Sequence, residues 1–282
     1  MLAKTWLITG TSTGFGKSLA TFLAQKDDVN LVATARHTDQ LAYLDQYNHG
    51  QILKQVLDVT KPDEITAAVA ATTDKFGALD VLINNAGLGY FGTFEESDRD
   101  AVRYMFDVNV WGLVDMTRAV LPTMRSQGAG IIVNFSSIAG LASFPTLSFY
   151  HGSKHAVEGI SASLAQEVAD QGIKVMLIEP SGFRTDWAGR SSQKAMPKIS
   201  AYAQFADSIE GSETGAHHEP GDPDKAAAII YDQVMNHAEE LPLHLPLGKF
   251  ATDTAIAKYE KSLADFKAVR EISLSADQPE EK

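Results

Sequence analysis

Residues 5–23 read TWLITGTSTGFGKSLATFL. The apolar run Thr5-Trp6-Leu7-Ile8-Thr9 ends in a glycine-spaced turn, Gly10-Thr11-Ser12-Thr13-Gly14-Phe15-Gly16. A helical pattern follows over 15–25, with Leu19, Phe22 and Leu23 on one face. Glycine permits a tight turn and lets backbone N–H groups approach a pyrophosphate at a helix N-terminus. A glycine cluster alone is weak, but here it stands between a strand and a helix at the start of the sheet. That order points to dinucleotide binding, with Gly10, Thr11, Ser12, Gly14, Phe15 and Gly16 as the cradle.

The same alternation continues along the chain. Short apolar runs at 30–35, 79–84, 130–135 and 173–178 suit a parallel sheet buried on both faces, and 51–57 fits a further strand with alternating polar residues. Helical spacing covers 62–75, which opens with Pro62, Asp63 and Glu64, and also 100–124 and 150–170. Repeated β-α alternation implies right-handed crossovers and an α/β fold: a doubly wound parallel sheet of Rossmann type, in a single domain over 1–274. Residues 275–282 are polar and acidic and are expected to fray. Residues 186–224 mix Ser, Gln, Gly, His and Pro with little periodicity and are expected to form a substrate lid, because ligands sit beyond the carboxyl ends of such strands.

Composition narrows the function. With 282 residues, 44% hydrophobic and 21% charged, the chain is ordinary globular material. No stretch approaches the roughly 20 apolar residues of a membrane span. The opening MLAKTWLITG reads as a core strand and not as a secretory signal. The absence of cysteine excludes disulfides, thiolate metal sites and cysteine nucleophiles, and is compatible with a cytoplasmic location. A net charge of -12 discourages nucleic-acid and anionic-membrane partners and leaves small-molecule chemistry.

The second strand ends Ala33-Thr34-Ala35-Arg36. An acid here would bind a ribose 2′-hydroxyl, whereas an arginine binds a 2′-phosphate, so NADP(H) is favoured over NAD(H). The competing reading makes Arg36 a surface residue and Asp39 the ribose acceptor. Tyr150 and Lys154 share one helical face. An ammonium beside a phenol of ordinary pKa about 10 favours phenolate, which suits carbonyl/alcohol interconversion. Alone, the pair reads better as a half-buried Tyr beside a snorkelling Lys. Upstream, Asn134-Phe135-Ser136-Ser137 ends a strand. Ser137 can donate to a substrate carbonyl, while Ser136 better fits a strand-end turn.

Taken together, Thr9-Gly10-x-x-x-Gly14-x-Gly16, Asn84-Asn85-Ala86-Gly87, Asn109, Ser137 and Tyr150-x-x-x-Lys154 resemble the short-chain dehydrogenase/reductase family in its single-domain form. The resemblance covers 4–190, and 241–246 is similar to the family's last strand. It implies that Tyr150 exchanges a proton with the carbonyl oxygen and that Ser137 holds that oxygen. Lys154 would bind the nicotinamide ribose and depress the Tyr150 pKa, and Asn109 would organise a water linking Lys154 to solvent. Asp58 and Val59 resemble the pair that contacts adenine, and Asn85, Ala86 and Gly87 would border the cofactor. Pro180-Ser181-Gly182 departs from the family's Pro-Gly. Pro180 and Thr185 keep their separation, so carboxamide contacts would come from the Phe183 backbone and Thr185. The resemblance also implies a small carbonyl or secondary alcohol substrate. It implies a homodimer or homotetramer too, with interface helices starting near Asp100 and Tyr150.

Two alternatives stay open: an NAD-dependent alcohol dehydrogenase of the same family, and a non-catalytic dinucleotide-sensing protein. Sugar-nucleotide epimerases differ at Thr13. No metal site is expected: adjacent His217 and His218, with Glu219, point apart without a spaced third ligand. Met105, Phe106, Trp111, Leu113 and Met116 read as core or subunit contact, and Arg118 and Arg125 as solvated helix surface.

Overall fold

Alternate residues of the first strand serve opposite faces: Trp6 and Ile8 enter one apolar layer and Leu7 the other. The structure, a computed structural model, describes residues 3–214 and 217–278. The strands are β1 (Lys4–Ile8), β2 (Val29–Ala35), β3 (Ile52–Val56), β4 (Val81–Asn84), β5 (Gly89–Phe91), β6 (Gly130–Phe135), β7 (Ile173–Pro180), β8 (Ser192–Lys194) and β9 (His244–Leu247). The helices are α1 (Gly14–Leu23), α2 (Pro62–Phe76), α3 (Arg99–Phe106), α4 (Leu113–Gln127), α5 (Ser148–Val168), α6 (Ala206–Thr214), α7 (Pro223–Asn236), α8 (Lys249–Ala268) and α9 (Arg270–Leu274).

Among the described residues, seven strands form one parallel sheet in the order β3-β2-β1-β4-β6-β7-β9. Leu31, Ala33, Val81 and Ile83 join Trp6 under α1 and α7, which contribute Leu19, Leu23, Ile230 and Val234. Val32, Leu82 and Ile132 face α2 and α4, which contribute Ile65, Val69, Met116 and Val120. Burying both faces removes apolar surface from water on each side of the sheet. The chain leaves β1 toward one edge and β4 toward the other, so a crevice opens at their carboxyl ends. Among the described residues no helix is long and apolar enough to cross a membrane.

Three differences from the sequence reading bear on the site. The helical pattern at 100–124 is broken: α3 ends at Phe106, a wider π turn spans Asp107–Gly112, and α4 follows. Gly112 packs so closely that an added Cβ would lie 2.6 Å from Val59 Cγ2. Helix α5 begins at Ser148, two residues ahead of the expected opening at Tyr150. The segment 186–224 is not structureless. β8 pairs with β5, and the amides of Lys198 and Ile199 donate to Glu96 Oε1 at 2.6 and 2.8 Å. Residues 215–216 of that segment, 279–282 of the expected polar tail and residues 1–2 lie outside the described residues.

Met105, Leu113 and Met116 are buried, Phe106 is half-buried, and Trp111, Arg118 and Arg125 are exposed. Helices α8 and α9, which periodicity did not reveal, extend the chain past β9.

Candidate active site

The turn after β1 has Gly10 at φ +70° and Gly14 at φ +55°, backbone that side chains rarely adopt. A Cβ at Gly16 would overlap the Gly10 carbonyl oxygen and Asn85 Nδ2. Asn85 Nδ2 donates to the carbonyls of Thr9 at 2.8 Å and Gly10 at 2.9 Å. The amides of Asn85 and Ala86 donate to Thr9 Oγ1 at 2.9 and 3.0 Å. The Asn85-Ala86-Gly87 segment therefore braces the glycine turn. Thr11 faces inward, its hydroxyl donating to the Thr34 carbonyl at 3.0 Å while Tyr43 Oη donates to the Thr11 carbonyl at 2.7 Å.

A cleft of about 660 Å³ crosses the carboxyl ends of the strands. Arg36, Asp58 and Val59 line one end, and Gly10, Ser12, Gly14, Phe15, Asn85, Ala86 and Gly87 the middle. Ser137, Tyr150, Lys154, Pro180, Phe183 and Thr185 line the other end. Thr11, Gly16 and Asn109 stand behind the wall and shape it. A long cleft with open backbone at a glycine turn fits an extended dinucleotide. Arg36 is exposed on the cleft rim, as is Gln40, whereas Asp39 is exposed away from it. Burial raises the Asp58 carboxyl, but hydrogen bonds from Thr60 and the charges of Lys61 and Arg36 outweigh this and hold it below its ordinary value.

At the far end Tyr150 is 5% exposed. Lys154 Nζ donates to the Phe135 carbonyl at 2.8 Å and lies 5.8 Å from the Tyr150 ring centroid. Burial pushes Lys154 down to about 8, opposed by the Glu158 carboxylate. Burial also pushes Tyr150 up, offset only in part by its hydrogen bond with Ser137. In the chain by itself the phenol therefore stands above its ordinary value, with burial the larger cause.

Ser137 Oγ accepts from the Ala139 amide at 3.1 Å and donates to the Pro180 carbonyl at 3.4 Å. It caps the short helical turn Ile138–Gly140, so the strand-end role expected of Ser136 falls to Ser137 as well. Asn109 Oδ1 accepts from the Leu88 amide at 2.7 Å, and its Nδ2 donates to the Leu88 carbonyl at 2.9 Å and to Ser153 Oγ at 3.2 Å. The π turn aims this carboxamide inward. The Ser181 amide donates to the Leu247 carbonyl at 3.1 Å, which anchors the Pro180-Ser181-Gly182 loop on β9. Phe183 packs against Phe15 with the rings tilted by 50° and their centroids 4.9 Å apart.

Two residues escaped the sequence reading. The Trp187 ring lies 4.9 Å from the Tyr150 ring and 5.4 Å from Phe91. Its signal was an aromatic two positions after Thr185. His151 Nε2 accepts from the Phe144 amide at 2.8 Å and Nδ1 donates to the Ala139 carbonyl at 2.8 Å, pinning the loop over α5. His217 and His218 are exposed, and His217 Nε2 lies 3.0 Å from Asp186 Oδ1.

The sheet order, glycine turn and Ser–Tyr–Lys grouping define a dinucleotide-dependent oxidoreductase. The family pattern described as short chain dehydrogenase matches residues 4–196. The chain belongs to this family and is an oxidoreductase that uses a nicotinamide cofactor. It is similar to oxidoreductase calM of Penicillium decumbens, 37% identical over 284 residues, covering 95% of this chain and 91% of that protein. A solved short-chain dehydrogenase from Streptomyces avermitilis superposes with a TM-score of 0.89 at 35% identity, covering 99% of this chain and 100% of that one. Two cofactor-bound structures are also similar. One is 3-ketoacyl-(acyl-carrier-protein) reductase from Brucella melitensis with NADH, at TM-score 0.71 and 26% identity, covering 87% of this chain and 97% of that one. The other is ElxO with NADP bound, at TM-score 0.72 and 29% identity, covering 87% and 97%.

Proposed function

We propose that the protein interconverts a carbonyl and a secondary alcohol of a small organic molecule, using NADP(H), with Tyr150 as the general acid–base. The convergence of Ser137, Tyr150 and Lys154 at one end of a cleft whose other end carries Arg36 supports this reading. When bound, the nicotinamide supplies or accepts the hydride. Tyr150, kept protonated by burial, gives its proton to the carbonyl oxygen during reduction. Ser137 donates a hydrogen bond to the same oxygen, where charge develops. The Lys154 ammonium, fixed by Phe135, holds the ribose hydroxyls. Arg36 pairs with the 2′-phosphate, Asp58 and Val59 border adenine, and Thr185 with the Phe183 backbone meets the carboxamide. Asn109 positions Leu88 and α5.

Beyond Tyr150 the wall is apolar, with Trp187, Leu88, Phe144 and Leu147. The carbonyl of the substrate therefore carries an apolar or aromatic substituent, and 186–224 acts as its lid. A homodimer or homotetramer is supported by Trp111, 58% exposed beside α4, and Ile160, 37% exposed on α5. A cytoplasmic location belongs to the same reading.

The test is NADPH oxidation by the purified protein against a panel of aliphatic and aromatic ketones and aldehydes, with the alcohol identified by mass spectrometry. Turnover of at least one apolar ketone is expected. Tight NADPH binding with no turnover across the panel would overturn the reading in favour of a dinucleotide sensor.

A further inference from the structure

Glu158 lies one turn beyond Lys154 on α5. Its carboxylate meets Glu179 of β7, which is 0% exposed, and His244, the first residue of β9. One ligand atom from each of the three lies within 4.8 Å of the others. His244 Nδ1 is 2.6 Å from Glu179 Oε1 and 3.6 Å from Glu158 Oε2. Glu179 Oε2 and both Glu158 oxygens are buried without a conventional hydrogen-bond donor. On the cleft side, a Cβ placed on Gly140 would lie 2.6 Å from Ser136 Oγ and 2.9 Å from Glu158 Oε1, so these two flank the same spot.

Two carboxylates so close, and away from water, cannot both be ionised at neutral pH without a compensating charge. The titratable groups facing them are Lys154 from α5, His244 from β9 and Tyr259 from α8. Of these, only His244 reaches hydrogen-bonding distance of the pair. A proton shared within the pair satisfies one orphaned oxygen of each carboxylate, and the Ser136 hydroxyl hydrogen-bonds to Glu158.

We infer that Glu158, Glu179 and His244 form a proton-sharing cluster that sets the charge of Lys154 from behind. Glu158 is in this sense a positioning residue, and the inference rests on Lys154 belonging to the reacting machinery. When the shared proton sits on Glu179, the Glu158 carboxylate supports the Lys154 ammonium. When the proton sits on Glu158 instead, that support is lost. Burial pushes Glu158 up to about 7 and Glu179 up to about 8, close to the Lys154 value of about 8, so the three titrate together.

Two measurements test this. The first needs no turnover. The infrared C=O band of a protonated carboxyl is followed with pH in the resting protein, for the wild type and for Glu158→Gln and Glu179→Gln. A carboxyl that stays protonated at neutral pH, and is lost in either variant, is expected. Its absence from the wild type would overturn the inference whether or not any ketone is reduced. The second is the pH profile of kcat/KM. Glu179→Gln leaves Glu158 ionised and should move the alkaline limb up by roughly half a unit to one unit, while Glu158→Gln, which removes the supporting carboxylate, should move it down. Lower rates with both limbs unmoved, or shifts of the same sign, would contradict it and indicate a packing role. A band or profile that changes with EDTA or with added Mg²⁺ or Mn²⁺ would overturn it in favour of a cation bound by the same carboxylates.

Discussion

Lys154 Nζ donates to the carbonyl oxygen of Phe135 at 2.8 Å, which ties the ammonium on α5 to the carboxyl end of β6. The tether fixes the charge at the floor of the cleft, 5.8 Å from the Tyr150 ring centroid. In the proposed reaction, truncation of Lys154 removes a group that serves both cofactor and proton donor. Lys154→Ala should weaken NADPH binding and lower kcat together. Fluorescence titration beside initial rates checks this, and an unchanged NADPH affinity would contradict the ribose contact.

Arg36 stands on the rim of the cleft beyond β2. A hydrogen bond to a charged group contributes roughly 1.5–3 kcal/mol, about a 10- to 150-fold preference. Arg36→Ala should weaken NADPH binding by about that factor and barely change NADH binding, read by isothermal titration of both. Equal losses would leave Arg36 a supporting role only.

Gly16 has no room for a side chain, because a Cβ would overlap the backbone oxygen of Gly10 and the Asn85 carboxamide. Gly16→Ala should distort the turn, and the rise in melting temperature that NADPH gives the wild type should be lost. A variant with the same NADPH-induced shift would show that the turn tolerates the methyl.

The sheet was legible because strands buried on both faces must be apolar almost throughout, as residues 81–84 and 130–135 are. Tyr150 and Lys154 could be grouped from their spacing of four on one helical face, and Ser137 from its place at a strand end, and all three line the cleft. The π turn at Asp107–Gly112 was not, since its extra residue answers to the close packing of Gly112 on Val59. The division of labour between Ser136 and Ser137 depends on a turn that only the fold defines. Glu158, Glu179 and His244 are far apart in sequence and meet only because β9 pairs with β7 and α5 packs against β7. The histidines that drew notice, His217 and His218, are exposed instead.

The same carboxyls give stability a pH dependence. Burial raises Glu158 from 4.5 to about 7 and Glu179 from 4.5 to about 8, so the folded state binds more protons than the unfolded one in this window. Their contribution to stability is fully present below 4.5 and is lost as pH rises through about 8. Lys154, lowered from 10.5 to about 8, acts oppositely and restores stability between those values. Urea midpoints measured from about pH 5 to about pH 10 should pass through a minimum near 8, shallower in Glu179→Gln. A variant whose curve matches the wild type would contradict the shared titration.

The proton donor is the centre of the proposed reaction, and Tyr150→Phe isolates it. The variant keeps the ring that packs 4.9 Å from Trp187 and loses only the hydroxyl. The most direct measurement is the rate of ketone reduction by Tyr150→Phe at saturating NADPH, with cofactor affinity measured on the same sample. A fall of about 10²–10⁴-fold with NADPH affinity kept within a few fold is the expected result. A variant that binds NADPH normally and keeps more than about a tenth of the wild-type rate would contradict Tyr150 as the acid.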